Sequence, residues 1–189
     1  MRLVLATRNP HKLREFRRLL EDVEIEPLAA AVELPPETGA TFADNAWPKA
    51  RAAARGTDGA AIADDSGIEA DALGGAPGVR SARYSGAYAT DAENLARLRH
   101  EVPVGGRLAY VCALAYVDPE DDRERLFIGR CTGTMAAEAR GDRGFGYDPI
   151  FIPDEPGDGR TMAELSDAEK DALSHRGRAA RELLAWLRS

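Results

Sequence analysis

The sequence is poor in cysteine and contains no long apolar run. Its 189 residues include two cysteines, Cys112 and Cys131, which are too few for a disulfide framework or a zinc site and are expected to be free thiols in the core. The longest apolar run, Leu108 to Val117, is shorter than the roughly 18 residues that would cross a bilayer. The start of the chain lacks the pattern of a signal peptide. The sequence therefore predicts a soluble, cytoplasmic protein.

Lysine is also scarce. Of the 25 cationic residues only three are lysines, Lys12, Lys49 and Lys170. A lysine carries a compact point charge, whereas arginine carries a wide planar fork, so a position that must reach one phosphate oxygen is a reason to keep lysine. For each lysine taken alone, the alternative is that it was retained by chance on a solvent-exposed face and has no role in binding. The net charge of −7 argues against nucleic acid or an anionic membrane as the main partner, but allows a small anionic ligand.

Short apolar segments alternate with helical patterns along the whole chain. Strands are predicted at 3–6, 23–28, 60–64, 108–117 and 126–138, and helices are predicted to begin near Pro10, Thr41, Thr90, Ser166 and Ser174. Pro48 is expected to kink or interrupt the second helix. This mixture predicts an α/β or α+β fold with a mixed sheet. No linker divides the chain, so we expect a single domain over residues 1–189. The alternative is two small lobes that share a core.

The first candidate site is the turn between the first strand and the first helix, which reads Thr7-Arg8-Asn9-Pro10-His11-Lys12. Asn9 is suited to cap the helix and Pro10 to occupy its first position. Backbone N–H groups at a helix N-terminus bind phosphate, and Arg8 and Lys12 add positive charge. The pattern favours a phosphate site, although an ordinary capped helix start is the alternative.

Two acidic segments are the next candidates, Glu37-Thr38-Gly39 and Asp64-Asp65-Ser66-Gly67. Adjacent aspartates at the end of a buried strand are costly unless a cation or hydrogen-bond donors meet them. Carboxylates of this kind suit Mg²⁺, which is usually held by one or two of them together with waters and substrate phosphates. A capped turn, which Asp-Ser-Gly favours by itself, is the alternative.

The remaining candidates are an aromatic loop and a cationic cluster. Phe145, Gly146, Tyr147 and Asp148 combine aromatic rings with glycine, a pattern that suits stacking on a planar ligand or a hairpin with rings in the core. Ser174-His175-Arg176 follows Lys170 by about one helical turn and forms a dense set of donors. Cationic donors, carboxylates and an aromatic loop together predict a site for a nucleotide with Mg²⁺. No serine-histidine-aspartate triad is identifiable.

At this level of detail the sequence resembles the inosine/xanthosine triphosphate pyrophosphatase family. The matching segments occur in family order over essentially the whole chain: Leu5-Ala6-Thr7-Arg8-Asn9 with Lys12, Glu37-Thr38-Gly39-Ala40-Thr41-Phe42, Ala63-Asp64-Asp65-Ser66-Gly67, Leu73-Gly74-Gly75-Ala76-Pro77-Gly78 with Ser81-Ala82-Arg83-Tyr84, Phe145-Gly146-Tyr147-Asp148-Pro149, and Ser174-His175-Arg176. Three positions depart from the family pattern. Arg8 replaces the usual glycine, Asp44 replaces the usual glutamate, and Pro48 lies inside the second helix.

The resemblance implies a strongly twisted mixed sheet with flanking helices, two lobes around a cleft, and a homodimer. It also implies Mg²⁺-dependent conversion of ITP, dITP or XTP to the monophosphate and pyrophosphate. In that reaction Asp65 is expected to be the general base, and Glu37 is expected to hold Mg²⁺ with it. Lys12 is expected to be the second catalytic residue, which with Mg²⁺ neutralises the charge that develops on the pyrophosphate leaving group. We expect substrate contacts from the phosphate turn, the remaining lysines, the aromatic loop and the helix start: Thr7, Arg8, Asn9, Lys12, Lys49, Ser66, Phe145, Gly146, Tyr147, Asp148, Lys170, His175 and Arg176.

Base selectivity is expected to depend on Lys170, His175 or Arg176. Hypoxanthine and xanthine carry an acceptor oxygen at purine position 6, where adenine carries an amino donor, so donors aimed there would reject ATP. Two other functions stay open. One is the related pyrophosphatase group that acts on pyrimidine triphosphates, whose opening motif differs from Thr7-Arg8-Asn9. The other is a nucleotide-binding module without chemistry, against which the retained carboxylates and lysines argue.

Overall fold

The computed structural model describes residues 1–189 and contains one six-stranded sheet. The strands are β1 (Arg2–Leu5), β2 (Glu24–Pro27), β3 (Ala61–Ala70), β4 (Arg107–Asp118), β5 (Arg123–Met135) and β6 (Phe151–Pro153), in the order β2-β1-β3-β4-β5-β6. Strand β1 is parallel to both β2 and β3, whereas β5 and β6 are antiparallel. The predicted mixed sheet with flanking helices is therefore confirmed.

Five α-helices accompany the sheet, and the sequence identified where they begin. They are α1 (Pro10–Leu19), α2 (Phe42–Thr57), α3 (Asp91–Glu101), α4 (Asp167–Leu173) and α5 (His175–Leu187). Asn9 caps α1, and capping boxes begin α2, α3 and α4 at Thr41, Thr90 and Ser166. These caps satisfy backbone N–H groups that have no partner inside the helix. None of the helices combines the length and the apolar character that a membrane span requires.

Two local expectations were wrong. Pro48 does not interrupt α2, which is continuous from Phe42 to Thr57. The capping box and a row of fully buried alanines on its inner face hold this helix although proline supplies no N–H. Strand β3 does not end at the two aspartates but continues to Ala70. Asp64 and Asp65 therefore lie within the strand, where successive side chains point to opposite faces.

The chain divides into two compact units, each with its own apolar core. The first comprises Met1–Asp65, Cys112–Gly129 and Arg176–Ser189, and its core includes Phe16, Ile62, Tyr116 and Leu183. The second comprises Ser66–Val111 and Arg130–His175, and its core includes Ile68, Leu98, Phe151 and Leu165. Both cysteines are free and buried, as the sequence predicts. A single functional domain over residues 1–189 stays a prediction.

Candidate active site

Asp64 is the center of a buried network of charges in the first unit. Its side chain is fully buried, with Oδ2 3.0 Å from Nζ of Lys12 and 3.3 Å from Nε of Arg176. Arg176 also donates from Nη1 to Oε2 of Glu15 at 3.0 Å. Burial by itself would raise the pKa of Asp64, but attraction to Lys12, Arg176 and Lys49 outweighs it and holds the pKa well below its usual range. Asp64 is therefore a permanent anion near neutral pH.

Asp65, the next residue of β3, has the opposite environment. Its Oδ2 accepts a hydrogen bond of 2.8 Å from Nδ2 of Asn45, and its Oδ1 lies 3.9 Å from Nζ of Lys49. Burial raises the pKa of Asp65, and repulsion from Glu37 acts in the same direction, whereas Lys49 and Asn45 only partly oppose them. A carboxylate whose pKa is shifted toward neutrality accepts a proton more readily, as a general base must.

Lys49 connects the two acidic segments that the sequence singled out. Its ammonium is buried and donates to Oε1 of Glu37 at 2.5 Å and to the backbone carbonyl of Asp64 at 2.8 Å. Glu37 and Asp65 thus face the same ammonium group. The sequence could not show this, because residues 37, 49 and 65 belong to a loop, a helix and a strand respectively.

The turn between β1 and α1 has the geometry expected of a phosphate site. Oδ1 of Asn9 accepts from the backbone N–H groups of His11 and Lys12, and the hydroxyl of Thr7 accepts from the N–H of Asn9 at 3.1 Å. The N-terminus of α1 therefore begins beside Thr7, with Lys12 in its first turn. Helix N-termini favour anions through their N–H groups and the helix dipole.

Arg8 is used differently from our expectation. Its guanidinium donates to four backbone carbonyls, those of Leu28, Ala29, Ala30 and Val32, at distances of 2.8 to 3.3 Å. The structure therefore commits the donors of Arg8 to this loop, where the sequence had suggested added charge for a phosphate. The reason is geometric, since only a planar fork with several N–H donors reaches so many carbonyls at once.

In the second unit, Asp148 organizes the aromatic loop. Its buried carboxylate accepts from the N–H of Phe145 at 3.0 Å, from the hydroxyl of Tyr110 at 3.1 Å and from Nζ of Lys170 at 2.8 Å. The ammonium of Lys170 also lies 5.3 Å from the ring center of Phe145, within range of a cation–π contact. Phe145 itself is only partly buried, so its ring is available to a ligand.

His175 and Tyr147 complete this group in different ways. The imidazole of His175 is buried and stacks on the ring of Tyr110, with ring centers 4.7 Å apart and planes 7° apart. Tyr147 has its ring in the core of the second unit, and its hydroxyl donates to the carbonyl of Ser81 at 2.7 Å. The loop places the Tyr147 ring inward, so of its two aromatics only Phe145 is suited to stacking on a base.

The structure thus brings the predicted residues into two groups. Lys12, Lys49, Glu37, Asp64 and Asp65 belong to the acidic network of the first unit, and Phe145, Asp148, Lys170 and His175 belong to the loop of the second. Arg176, which we expected beside the base, is held by Asp64 and Glu15 in the first group. Ser66 directly follows Asp65 in β3, and the N–H of Gly146 donates to Asp91.

Three functional candidates were missed by reasoning from the sequence. Asn45 precedes Lys49 by one helical turn and Glu15 follows Lys12 by three residues, so helical spacing could have indicated both. Tyr110 lies in a continuous apolar strand and gave no signal of this kind. The environments of all three depend on contacts that are distant in the sequence.

The carboxylates of the first unit fit a magnesium–nucleotide complex. Nowhere does the structure bring three histidine, cysteine or acidic side chains together as a metal cage. Glu37 and Asp65, however, both lie at the ammonium group of Lys49, at 2.5 and 3.9 Å. Two carboxylates, completed by waters and phosphate oxygens, are the donor set that Mg²⁺ commonly uses. The donors present therefore suit Mg²⁺ that arrives with a triphosphate.

Comparison with known proteins places the chain among enzymes of nucleotide hydrolysis. A protein of Mycobacterium tuberculosis named dITP/XTP pyrophosphatase is 50 % identical, over all of this chain and 96 % of the relative. The structure of a HAM1 protein from Coxiella burnetii superimposes with a TM-score of 0.85 at 42 % identity, covering 99 % of this chain and 98 % of that one.

A third comparison gives the same result. The crystal structure of a nucleoside-triphosphatase / dITP/XTP pyrophosphatase from Mycobacterium abscessus has a TM-score of 0.74 at 48 % identity, over 97 % of this chain and 99 % of that one. The profile of the Ham1 family matches residues 3–186. This match extends over nearly the whole sequence, so the chain belongs to the Ham1 family.

Proposed function

We propose that this protein hydrolyses deaminated purine nucleoside triphosphates, namely ITP, dITP and XTP, to the monophosphate and pyrophosphate in a Mg²⁺-dependent reaction. The observation that carries the proposal is the arrangement of carboxylates and lysines in the first unit. Oδ2 of the buried Asp64 lies 3.0 Å from Nζ of Lys12, and Oε1 of Glu37 and Oδ1 of Asp65 lie 2.5 and 3.9 Å from Nζ of Lys49. The names of the relatives at about 50 % identity support the same reaction.

The residues around Asp64 and Asp65 would bind the triphosphate and carry out the chemistry. Asp65 accepts a proton from a water molecule, and the oxygen of that water attacks the α-phosphorus. The bond between the α-phosphorus and the bridging oxygen breaks, and pyrophosphate leaves with the electron pair. Lys12, Lys49 and the N–H groups of the Thr7–Asn9 turn stabilise the negative charge of the phosphates. Asp64 keeps Lys12 in place, at 3.0 Å.

Glu37 and Asp65 would hold Mg²⁺. When bound, the ion would neutralise charge on the phosphates and the leaving group. The ammonium of Lys49 lies beside both carboxylates, where it would also face the phosphates of the bound nucleotide.

The residues around Phe145 would recognise the base. Phe145 stacks on the purine, while Asp148 fixes the loop and lies near the sugar or base. Lys170 and His175 supply donors toward the oxygen at purine position 6. Adenine presents an amino donor at that position, and a buried donor left without an acceptor costs about 1–3 kcal/mol. We assign Arg176 to Asp64 because its guanidinium is buried against acidic groups.

The same proposal includes the oligomeric state and the cellular location of the protein. We propose a homodimer that acts in the cytoplasm, where its nucleotide substrates occur. Size-exclusion chromatography with light scattering would show a mass twice that of the 20.4 kDa chain. A mass of one chain at micromolar concentration would contradict the dimer without affecting the proposed chemistry.

The decisive experiment identifies products from a panel of nucleotides. Purified protein is incubated with ITP, dITP, XTP, ATP, GTP and dTTP, each with Mg²⁺ or with EDTA. We expect pyrophosphate from the first three only, and none with EDTA. Orthophosphate would move the attack to the γ-phosphorus and refute the assigned roles. Pyrophosphate from dTTP would favour the pyrimidine group, and tight ITP binding without turnover would favour a binding module.

A matched pair of variants tests the role of Asp65. Asp65→Asn retains the size of the side chain and an acceptor for Asn45, but cannot take up a proton. We expect turnover to fall by at least about a hundredfold while ITP binding is retained. Asp121→Asn removes an exposed carboxylate from the turn between β4 and β5 and should leave turnover unchanged. A near-normal rate for Asp65→Asn would show that Asp65 is not the base.

A further inference from the structure

The loop held by Arg8 leads directly into the segment that carries Glu37. The four carbonyls bound by Arg8 lie within residues 28–32, which we call the Leu28–Val32 loop. Only Glu33, Leu34, Pro35 and Pro36 separate this loop from Glu37. Two consecutive prolines directly before Glu37 restrict backbone rotation, so few freely rotating residues separate the loop from Glu37.

Glu37 is also anchored on its C-terminal side. The N–H of Gly39 donates to Oδ1 of Asn45 at 2.7 Å, and Nδ2 of the same Asn45 donates to Asp65. A Cβ on residue 39 would lie 2.5 Å from Cβ of Asp44, so glycine is required for this approach. Glu37 therefore lies between two anchors, of which one is tied to the general base and the other to Arg8.

Arg8 itself belongs to the phosphate turn. It stands between Thr7, whose hydroxyl accepts from Asn9, and Asn9, which caps α1. A side chain that leaves this turn and binds the Leu28–Val32 loop fixes the turn relative to the segment before Glu37. The loop has a second contact, since Val32 packs so closely on α2 that a Cβ at Gly56 would lie 2.7 Å from it.

We infer that Arg8 is a positioning residue, which sets the carboxylate of Glu37 relative to the phosphate turn and so tunes the binding of Mg²⁺ with the substrate. This inference rests on the proposed function and deepens it. Arg8 acts here through backbone carbonyls and Glu37, not by contact with phosphate. Its role requires a fork of donors, which distinguishes it from the point charges of Lys12 and Lys49.

The first test measures hydrogen exchange of peptides spanning residues 28–38 in the protein without nucleotide. Arg8→Met retains the stem but removes every donor, and Arg8→Lys retains the charge but replaces the fork with one ammonium group. We expect exchange in this segment to be about tenfold faster in both variants, with α3 unchanged. Arg2→Met, which removes an exposed pairing with Glu26, is the control and should match wild type.

The second test measures pyrophosphate release from ITP as a function of Mg²⁺ concentration. Arg8→Met should raise the Mg²⁺ concentration for half-maximal rate about tenfold, with kcat at saturating Mg²⁺ within about twofold of wild type. Because binding of Mg²⁺ with nucleotide also stabilises the folded state, circular dichroism without Mg²⁺ must show that the variant is folded. In a Glu37→Gln background the same substitution should produce no additional shift, because coupled residues are not additive.

Each contrary result overturns a different statement. Unchanged exchange in residues 28–38 would refute the anchoring of the loop by Arg8. Weaker binding of inorganic pyrophosphate with an unchanged Mg²⁺ requirement would show that Arg8 contacts phosphate, and Arg8→Lys would then retain most of the binding. Absence of pyrophosphate release by the wild-type protein would refute the proposed function, whereas the exchange comparison would still decide the anchoring.

Discussion

The adjacent aspartates of β3 allow a sharp prediction about stability. Replacing Asp64 or Asp65 with asparagine removes one negative charge from neighbouring positions while keeping size and shape. In Asp64→Asn, Lys12 and Arg176 lose the carboxylate that lies 3.0 and 3.3 Å away. In Asp65→Asn, the site loses a charge that burial and Glu37 disfavour. We therefore expect Asp64→Asn to lower the free energy of unfolding and Asp65→Asn not to lower it.

The loss of stability expected for Asp64→Asn follows from the burial of its ion pairs. Removing one partner of a buried ion pair typically costs about 3–5 kcal/mol. We expect the lower end, about 3 kcal/mol, because Arg176 keeps its contact with Glu15 and Lys12 is partly exposed. For a chain of this length that corresponds to a Tm lower by roughly 6–12 °C. Asp65→Asn should equal or exceed wild type in Tm, because its amide can still accept from Asn45.

The contribution of each aspartate to the free energy of unfolding changes with pH in a defined direction. The lowered pKa of Asp64 stabilises the fold above the pKa of the unfolded chain, about 3.9, and this contribution is lost only as the pH falls further. The raised pKa of Asp65 acts oppositely, since its favourable contribution is present at acid pH and lost as the pH rises through the folded-state pKa. The gain in the free energy of unfolding of Asp65→Asn over wild type should therefore be greatest near pH 7 and vanish toward acid pH.

Thermal and urea unfolding of both variants between pH 4 and pH 8 measures these effects, with Asp121→Asn as an exposed control. Equal destabilisation by Asp64→Asn and Asp65→Asn at pH 7 would refute the assignment of opposite environments. So would a higher Tm of Asp65→Asn relative to wild type that persisted unchanged at pH 4, because a raised pKa means that the wild-type carboxyl loses its unfavourable charge as the pH falls.

Three further substitutions test the local structure. Gly144→Ala would put a Cβ 2.0 Å from Oδ2 of Asp148 and should raise KM for ITP by at least about tenfold. Gly159 has a similar positive φ but open space around it, so Gly159→Ala is the control and should leave KM unchanged. Thr41→Ala removes a capping box and should lower stability by about 1 kcal/mol in urea unfolding, with no change in m-value. Tyr110→Phe removes a buried donor to Asp148 but retains the ring, and should destabilise by about 1.5–3 kcal/mol, because the acceptor is charged; an unchanged midpoint would contradict this role of the hydroxyl.

Local patterns were sufficient for much of the fold. The caps at Asn9, Thr41 and Ser166 were identified because a cap depends on residues only two or three positions apart. The length of β3 was not predicted correctly. Its two aspartates resemble the end of a strand, but partners from α1, α2 and α5 satisfy them inside it. Pro48 misled for a similar reason, because tertiary packing overrides the local preference against proline within a helix.

The sequence alone determined which chemical groups the candidate site contains. Its carboxylates, lysines and aromatic loop are typical of a nucleotide site, because residue type fixes charge, donors and acceptors. Only the tertiary structure decided how those groups are paired. It places Asp64 between cations that lower its pKa, it raises the pKa of Asp65 by burial, and it directs Arg8 to a loop and Arg176 to acidic partners. A pKa and a hydrogen-bond partner depend on burial and on charges a few ångströms away, and residues far apart in sequence supply both.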